Sequence, residues 1–111
     1  MGSYPEAEPL LVRSLSIYER QLGADHPDTA MSLNNLAWLY YAMGRYPEAE
    51  PFFLGALEML FNQWGKNHPD TQRVCRNFIN FLQQAISTGQ DSQLSQHPTT
   101  QAMLKRVRET E

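Results

Sequence analysis

Three histidines, one cysteine and two pairs of glutamates are the side chains of this sequence best suited to chemistry. His26, His68 and His97 each stand directly before a proline. A residue in that place avoids the α region, while the proline suits the first position of a helix. The shared context therefore predicts three helix N-caps. The histidines also lack a metal-ligand spacing such as His-Glu-x-x-His. Glu6 with Glu8, and Glu48 with Glu50, fall at two predicted helix starts, where negative charge in the first turn is favourable. That placement accounts for them without a catalytic carboxylate pair. Cys75 lies on an apolar helical stripe and is expected to pack as a small hydrophobe, not to react as a thiol. Lys105, Arg106 and Arg108 read as a solvated face near a helix end. An enzyme needs a nucleophile, an acid or base and a group that positions them. The sequence assembles no such set and has no glycine-rich phosphate loop. Neither catalysis, a metal nor a cofactor is expected.

The elements that carry these residues are repeated. Tyr4-Pro5-Glu6-Ala7-Glu8-Pro9 returns as Tyr46-Pro47-Glu48-Ala49-Glu50-Pro51, and His26-Pro27-Asp28-Thr29 returns as His68-Pro69-Asp70-Thr71. Both blocks recur at an offset of 42, and residues 4–45 match 46–87 at 14 positions, which establishes an internal duplication. Each unit reads as two helices. Proline at the first turn opens them, and Gly23, Gly44 and Gly65 close them. The expected helices cover about 4–22, 27–43, 46–64 and 69–87. The expected buried stripes are Leu33, Leu36, Ala37 and Tyr40 on the second, and Cys75, Phe78, Ile79 and Leu82 on the fourth. No window alternates with a period of two, so no strand is expected. Residues 88–97 read as a polar linker, and 98–109 as a short capping helix with Met103, Leu104 and Val107 on its apolar side. The opening Met1-Gly2-Ser3 is set aside as a tag remnant.

The run Leu33-Asn34-Asn35-Leu36-Ala37-Trp38-Leu39-Tyr40, followed by Gly44-Arg45-Tyr46-Pro47-Glu48-Ala49 and Ala56-Leu57, resembles the tetratricopeptide repeat. The 42-residue period, with Glu-Ala-Glu-Pro and His-Pro-Asp-Thr, is similar to the kinesin-light-chain type of that family. The resemblance implies an all-α fold, a right-handed α–α superhelix of antiparallel hairpins. It also implies a concave groove lined by the first helix of each pair, here 27–43 and 69–87. A protein-binding scaffold without catalysis is the implied function.

On those two helices the residues expected to face the groove are Asn34, Asn35, Trp38 and Tyr41, then Arg73, Arg76, Asn77, Asn80 and Gln83. Asparagine can pair with an extended peptide backbone through a donor and an acceptor. Arginine can fork onto a carboxylate, and an exposed tryptophan can anchor a partner. The expected ligand is a protein or extended peptide bearing acidic groups or an acidic C-terminus. The alternative for Asn35 and Asn77 is bonding to neighbouring backbone. For Trp38 it is packing against a further repeat or a second chain.

Size and charge agree with an interaction module. The chain has 111 residues, one domain's worth, with 41% hydrophobic and 19% charged residues. A net charge of -3 gives no field to attract nucleic acid. One cysteine cannot form an internal disulfide, and no signal peptide or membrane-spanning run is visible, so a cytoplasmic protein is expected. The first helix should leave Leu10, Leu11, Leu15 and Tyr18 partly uncovered. Two explanations stay open: a piece of a longer array, or a homodimer formed through unpaired terminal helices.

Overall fold

Proline and glycine punctuation sets the element boundaries. A computed structural model describes residues 4–110 and contains five α-helices in the order α1 (Tyr4–Leu22), α2 (Pro27–Ala42), α3 (Tyr46–Trp64), α4 (Pro69–Ser87) and α5 (Pro98–Thr110). A short 3₁₀ turn, Asp91–Gln93, precedes α5. No strand occurs among the described residues. Met1-Gly2-Ser3 lies outside them. The expected helix limits are met within one residue at nearly every end. Gly23 and Gly65 end α1 and α3 with φ of 91° and 80°, a left-handed conformation that a side chain would strain.

The three histidines cap helices in one way. The Nδ1 atoms of His26, His68 and His97 accept the backbone N–H groups of Asp28, Asp70 and Thr99, each at 3.1 Å. Each bond satisfies one of the donors that a helix start leaves open.

The core lies where α3 is enclosed between α2 and α4. Ala49 and Ala56 are fully buried and small enough for close helix approach, and Phe53 is buried against Phe78 and Phe81 at ring separations of 5.8 and 5.0 Å. Tyr46 stacks on Phe81 at 5.3 Å. Offset and tilted aromatic pairs of this kind add about 0.5–1.5 kcal/mol each beyond the area they bury. The buried stripe of α4 is Val74, Phe78, Phe81, Leu82 and Ala85. Cys75 and Ile79, expected on that stripe, are only half-buried. The stripe is turned from the expected one because α4 packs against both α3 and α2. Leu33, which holds the place of Cys75 in the first unit, is likewise half-buried.

The C-terminal segment carries a helix where a short one was expected. Within residues 88–97, which read as a polar linker, the chain makes the 3₁₀ turn and buries Leu94. Helix α5 then packs on α4 and buries Thr100, Leu104 and Val107. The fourth helix is therefore paired with α5. At the other end, α1 contributes no fully buried residue. Leu10 is 65% exposed, with Val12, Ile17, Tyr18 and Leu22 also exposed, while Leu11 and Leu15 pack on the core.

Candidate functional site

Helices α2 and α4 touch each other, so the two copies of the expected groove helix do form one surface. A helix advances 100° per residue, and positions i, i+4, i+7 and i+11 share a face. On α2 that face is Met31, Asn35, Trp38 and Ala42. Displaced by the 42-residue period, the same face on α4 is Arg73, Asn77, Asn80 and Gln84. Asn35, Trp38, Arg73, Asn80 and Gln84 are exposed, and Met31 and Asn77 half-buried. Trp38 stays 40% exposed although its ring lies 5.1 Å from that of Tyr41.

Four of the nine expected site residues stand elsewhere. Asn34 is 3% exposed and accepts a hydrogen bond from Asn77 Nδ2 at 3.4 Å, so it joins α2 to α4 and is closed to a ligand. Tyr41 is wedged edge-on against Tyr46 and Phe81, each at 5.6 Å, and burial pushes its hydroxyl pKa upward. It supports Trp38 from behind. Arg76 and Gln83 belong to the α4 stripe one residue, hence 100°, before the groove stripe. Arg76 borders a cavity of about 350 Å³ with Phe61, Lys66 and Cys75. Gln83 borders another of about 270 Å³ with Cys75, Ile79, Met103 and Val107. Asn34 and Arg76 are equivalent in the repeat, yet only Asn34 has a neighbouring groove helix on that side.

The remaining face is a strip of amides with one aromatic and one cation. Asn35, Asn80 and Gln84 make no side-chain hydrogen bond within the described residues, so the alternative of local backbone bonding does not account for Asn35. Arg73 is exposed and lies 3.8 Å from Asp70, a loose pair that leaves most of its donors free. Among the described residues no three His, Cys, Asp or Glu side chains cluster as metal ligands. No helix among them is long and apolar enough to cross a membrane.

The family model described as tetratricopeptide repeat matches residues 1–60. This chain belongs to the tetratricopeptide-repeat family. No characterised protein matches it. The family assignment joins what the coordinates show, an all-α stack of duplicated helical hairpins, to a general role in protein interaction.

Sequence reasoning missed one polar centre altogether. Glu50, assigned to first-turn electrostatics, is 2% exposed and faces the C-terminal segment. Its carboxylate accepts from Ser95 N at 2.7 Å, Ser95 Oγ at 2.5 Å and Thr100 Oγ1 at 2.6 Å. Its counterpart Glu8 accepts from Tyr40 Oη at 2.7 Å and lies 3.5 Å from Arg45. The repetition of Glu-Pro at both places, Glu8-Pro9 and Glu50-Pro51, was the available signal, since Glu6 and Glu48 already supply the first-turn charge.

Proposed function

We propose that this tetratricopeptide-repeat chain is a non-catalytic scaffold that holds an extended peptide along the α2–α4 face. The observation that carries the reading is the matched stripe on adjacent helices: Asn35, Trp38 and Asn80 are exposed beside the half-buried Asn77, with most of their polar atoms unpartnered. Amide side chains offer a donor and an acceptor at once, which suits the alternating groups of an extended backbone. Trp38 supplies the large, partly buried ring that anchors such ligands. Arg73 supplies a positive charge for an acidic side chain or terminal carboxylate of the ligand. The 42-residue period and the Glu-Ala-Glu-Pro and His-Pro-Asp-Thr blocks support placing the chain near the kinesin-light-chain type, and a cytoplasmic setting follows from that reading.

The test is a titration with a panel of extended peptides, acidic and neutral, monitored by Trp38 fluorescence in a Trp64→Phe background. Saturable binding of acidic peptides that is lost in Asn77→Ala supports the reading. Binding that isothermal calorimetry finds unaffected by Asn77→Ala and Trp38→Ala together contradicts it.

A second reading is favoured by α1. Its exposed Leu10, Val12, Ile17, Tyr18 and Leu22 form more apolar surface than scattered surface residues need. Self-association through that helix would bury it. Light scattering across a hundredfold concentration range decides: constant monomer mass removes this reading and leaves the first untouched.

A further inference from the structure

The C-terminal segment is fastened to one buried carboxylate, and the shortest of the three hydrogen bonds to it comes from an exposed residue. Ser95 lies in the extended stretch between the 3₁₀ turn and α5, and the residue is exposed while its hydroxyl reaches inward to Glu50 at 2.5 Å. Among the described residues no other serine hydroxyl is bonded to a buried carboxylate. Ser95 Oγ also accepts the N–H of His97 at 3.2 Å, and Ser95 O accepts from Gln101 Nε2 at 2.8 Å. Around this clasp the other fastenings are exposed: His97 to Glu58 at 3.1 Å and Arg108 to Asp91 at 2.6 Å. Exposed pairs of this kind contribute little. The docked state of α5 thus depends on Glu50 together with the burial of Leu94, Leu104 and Val107.

We propose that Ser95 is a phosphorylation site that governs whether α5 is docked. A protein kinase would act on the chain when it is transiently undocked. The serine Oγ attacks the γ-phosphorus of a nucleoside triphosphate, the Oγ–P bond forms as the bond to the bridging oxygen breaks, and the nucleoside diphosphate leaves. The hydroxyl proton passes to the kinase's base. The product carries a charge of about -1.5 to -2 at pH 7 and no longer has a hydroxyl hydrogen to donate. It cannot return to a site that already holds the Glu50 carboxylate, because like charges without a compensating cation are strongly unfavourable in a buried place. The same phosphate stands just before the N-terminus of α5, where negative charge favours the helix. Release would therefore free α5 as a helix, not melt it. It would leave Thr100, Leu104 and Val107 available to another surface, and uncover Cys75 and Ile79 on α4. The second unit would pass between a closed and an open form while the α2–α3–α4 core stays folded.

Cys75, the single cysteine, reports this directly, since it lines the cavity that α5 closes. The experiment compares the reaction rate of the Cys75 thiol with a neutral pyridyl disulfide in the full chain, carrying serine, alanine or genetically encoded phosphoserine at position 95. Far-UV circular dichroism accompanies each variant. Phosphoserine should raise the rate roughly tenfold or more, with helix content kept, because reactivity follows the open population. Ser95→Ala, which removes a donor but adds no charge, should raise it only a few-fold. In a Glu50→Gln background the phosphoserine effect should shrink toward that of alanine. A rate for phosphoserine equal to that of alanine would overturn the proposal. So would an undiminished effect in Glu50→Gln, or a global loss of helix with phosphoserine.

Discussion

The hairpin α2–α3 and the hairpin α4–α5 are built from the same kind of first helix, yet they are closed in different ways. In the first, α3 begins three residues after Met43 caps α2, and apolar contact along nearly the whole of α2 holds the pair together. In the second, ten residues separate Ser87 from Pro98, and a shorter helix covers only part of α4. One cavity remains between α4 and α5 and another between α4 and the end of α3, and Cys75 borders both. The comparison shows how a repeat divides its labour. Apolar periodicity fixes the interior pair, whereas a polar clasp and a few apolar side chains fix the outer one. A locally stable core with a less stable edge is the ordinary arrangement in folded domains.

Substitutions can sharpen or break that contrast. The largest effect should come from Phe53→Ala, at the centre of the α3–α4 aromatic cluster, with a loss of about 3–5 kcal/mol read by urea unfolding. The equivalent change in the outer hairpin, Leu104→Ala, should cost about 2–3 kcal/mol. By hydrogen exchange its effect should be confined to residues 94–110. If Leu104→Ala loosens α2 and α3 equally, the two hairpins are one cooperative unit and the contrast fails. Glu50→Gln should follow, at about 1–3 kcal/mol, because it weakens three hydrogen bonds to a buried charged acceptor. Its half-exposed counterpart, Glu8→Gln, should lie below about 1 kcal/mol.

The smallest effect is in the response to pH. Burial first, and the hydrogen bond to Glu8 second, raise the Tyr40 hydroxyl above its ordinary pKa of 10.0. A group raised on folding contributes stability that is fully present below its unfolded pKa and is lost as pH rises through the folded one. The melting temperature should therefore fall above pH 10, and fall less steeply in Tyr40→Phe. At low pH the relevant group is Glu48, whose carboxyl Arg45 holds below the usual carboxylate range mainly through their hydrogen bond. That contribution is present at neutral pH and disappears as pH falls through the lowered value. Because the pair is exposed, the change should be slight.

Much of this architecture was legible in the chain, for identifiable reasons. Pro27, Pro47 and Pro69 mark helix starts, Gly23 and Gly65 mark ends, and the duplication multiplies each signal by two. The three histidine caps followed from His-Pro alone. The groove was less legible. Periodicity names a stripe but not which neighbour lies to its left or right, so Asn34, Tyr41, Arg76 and Gln83 were placed on the wrong side by one helical step. Asn34 reads like Asn35 in sequence; only the presence of α4 buries it. Glu50 was harder still, since its donors lie 45 and 50 residues away in a segment whose composition resembles a linker. A carboxylate that repeats where dipole charge is already supplied was the one clue.

The central claim is that the stripe shared by α2 and α4 is where this protein grips a partner. Backbone amide and side-chain NMR shifts, followed as an acidic extended peptide is added, test it most directly. The account predicts that the largest changes fall on Asn35, Trp38, Asn77 and Asn80, with Arg73 moving only for the acidic peptide. Shifts gathered instead on α1, or on the α4–α5 cavity around Cys75 and Met103, would contradict it.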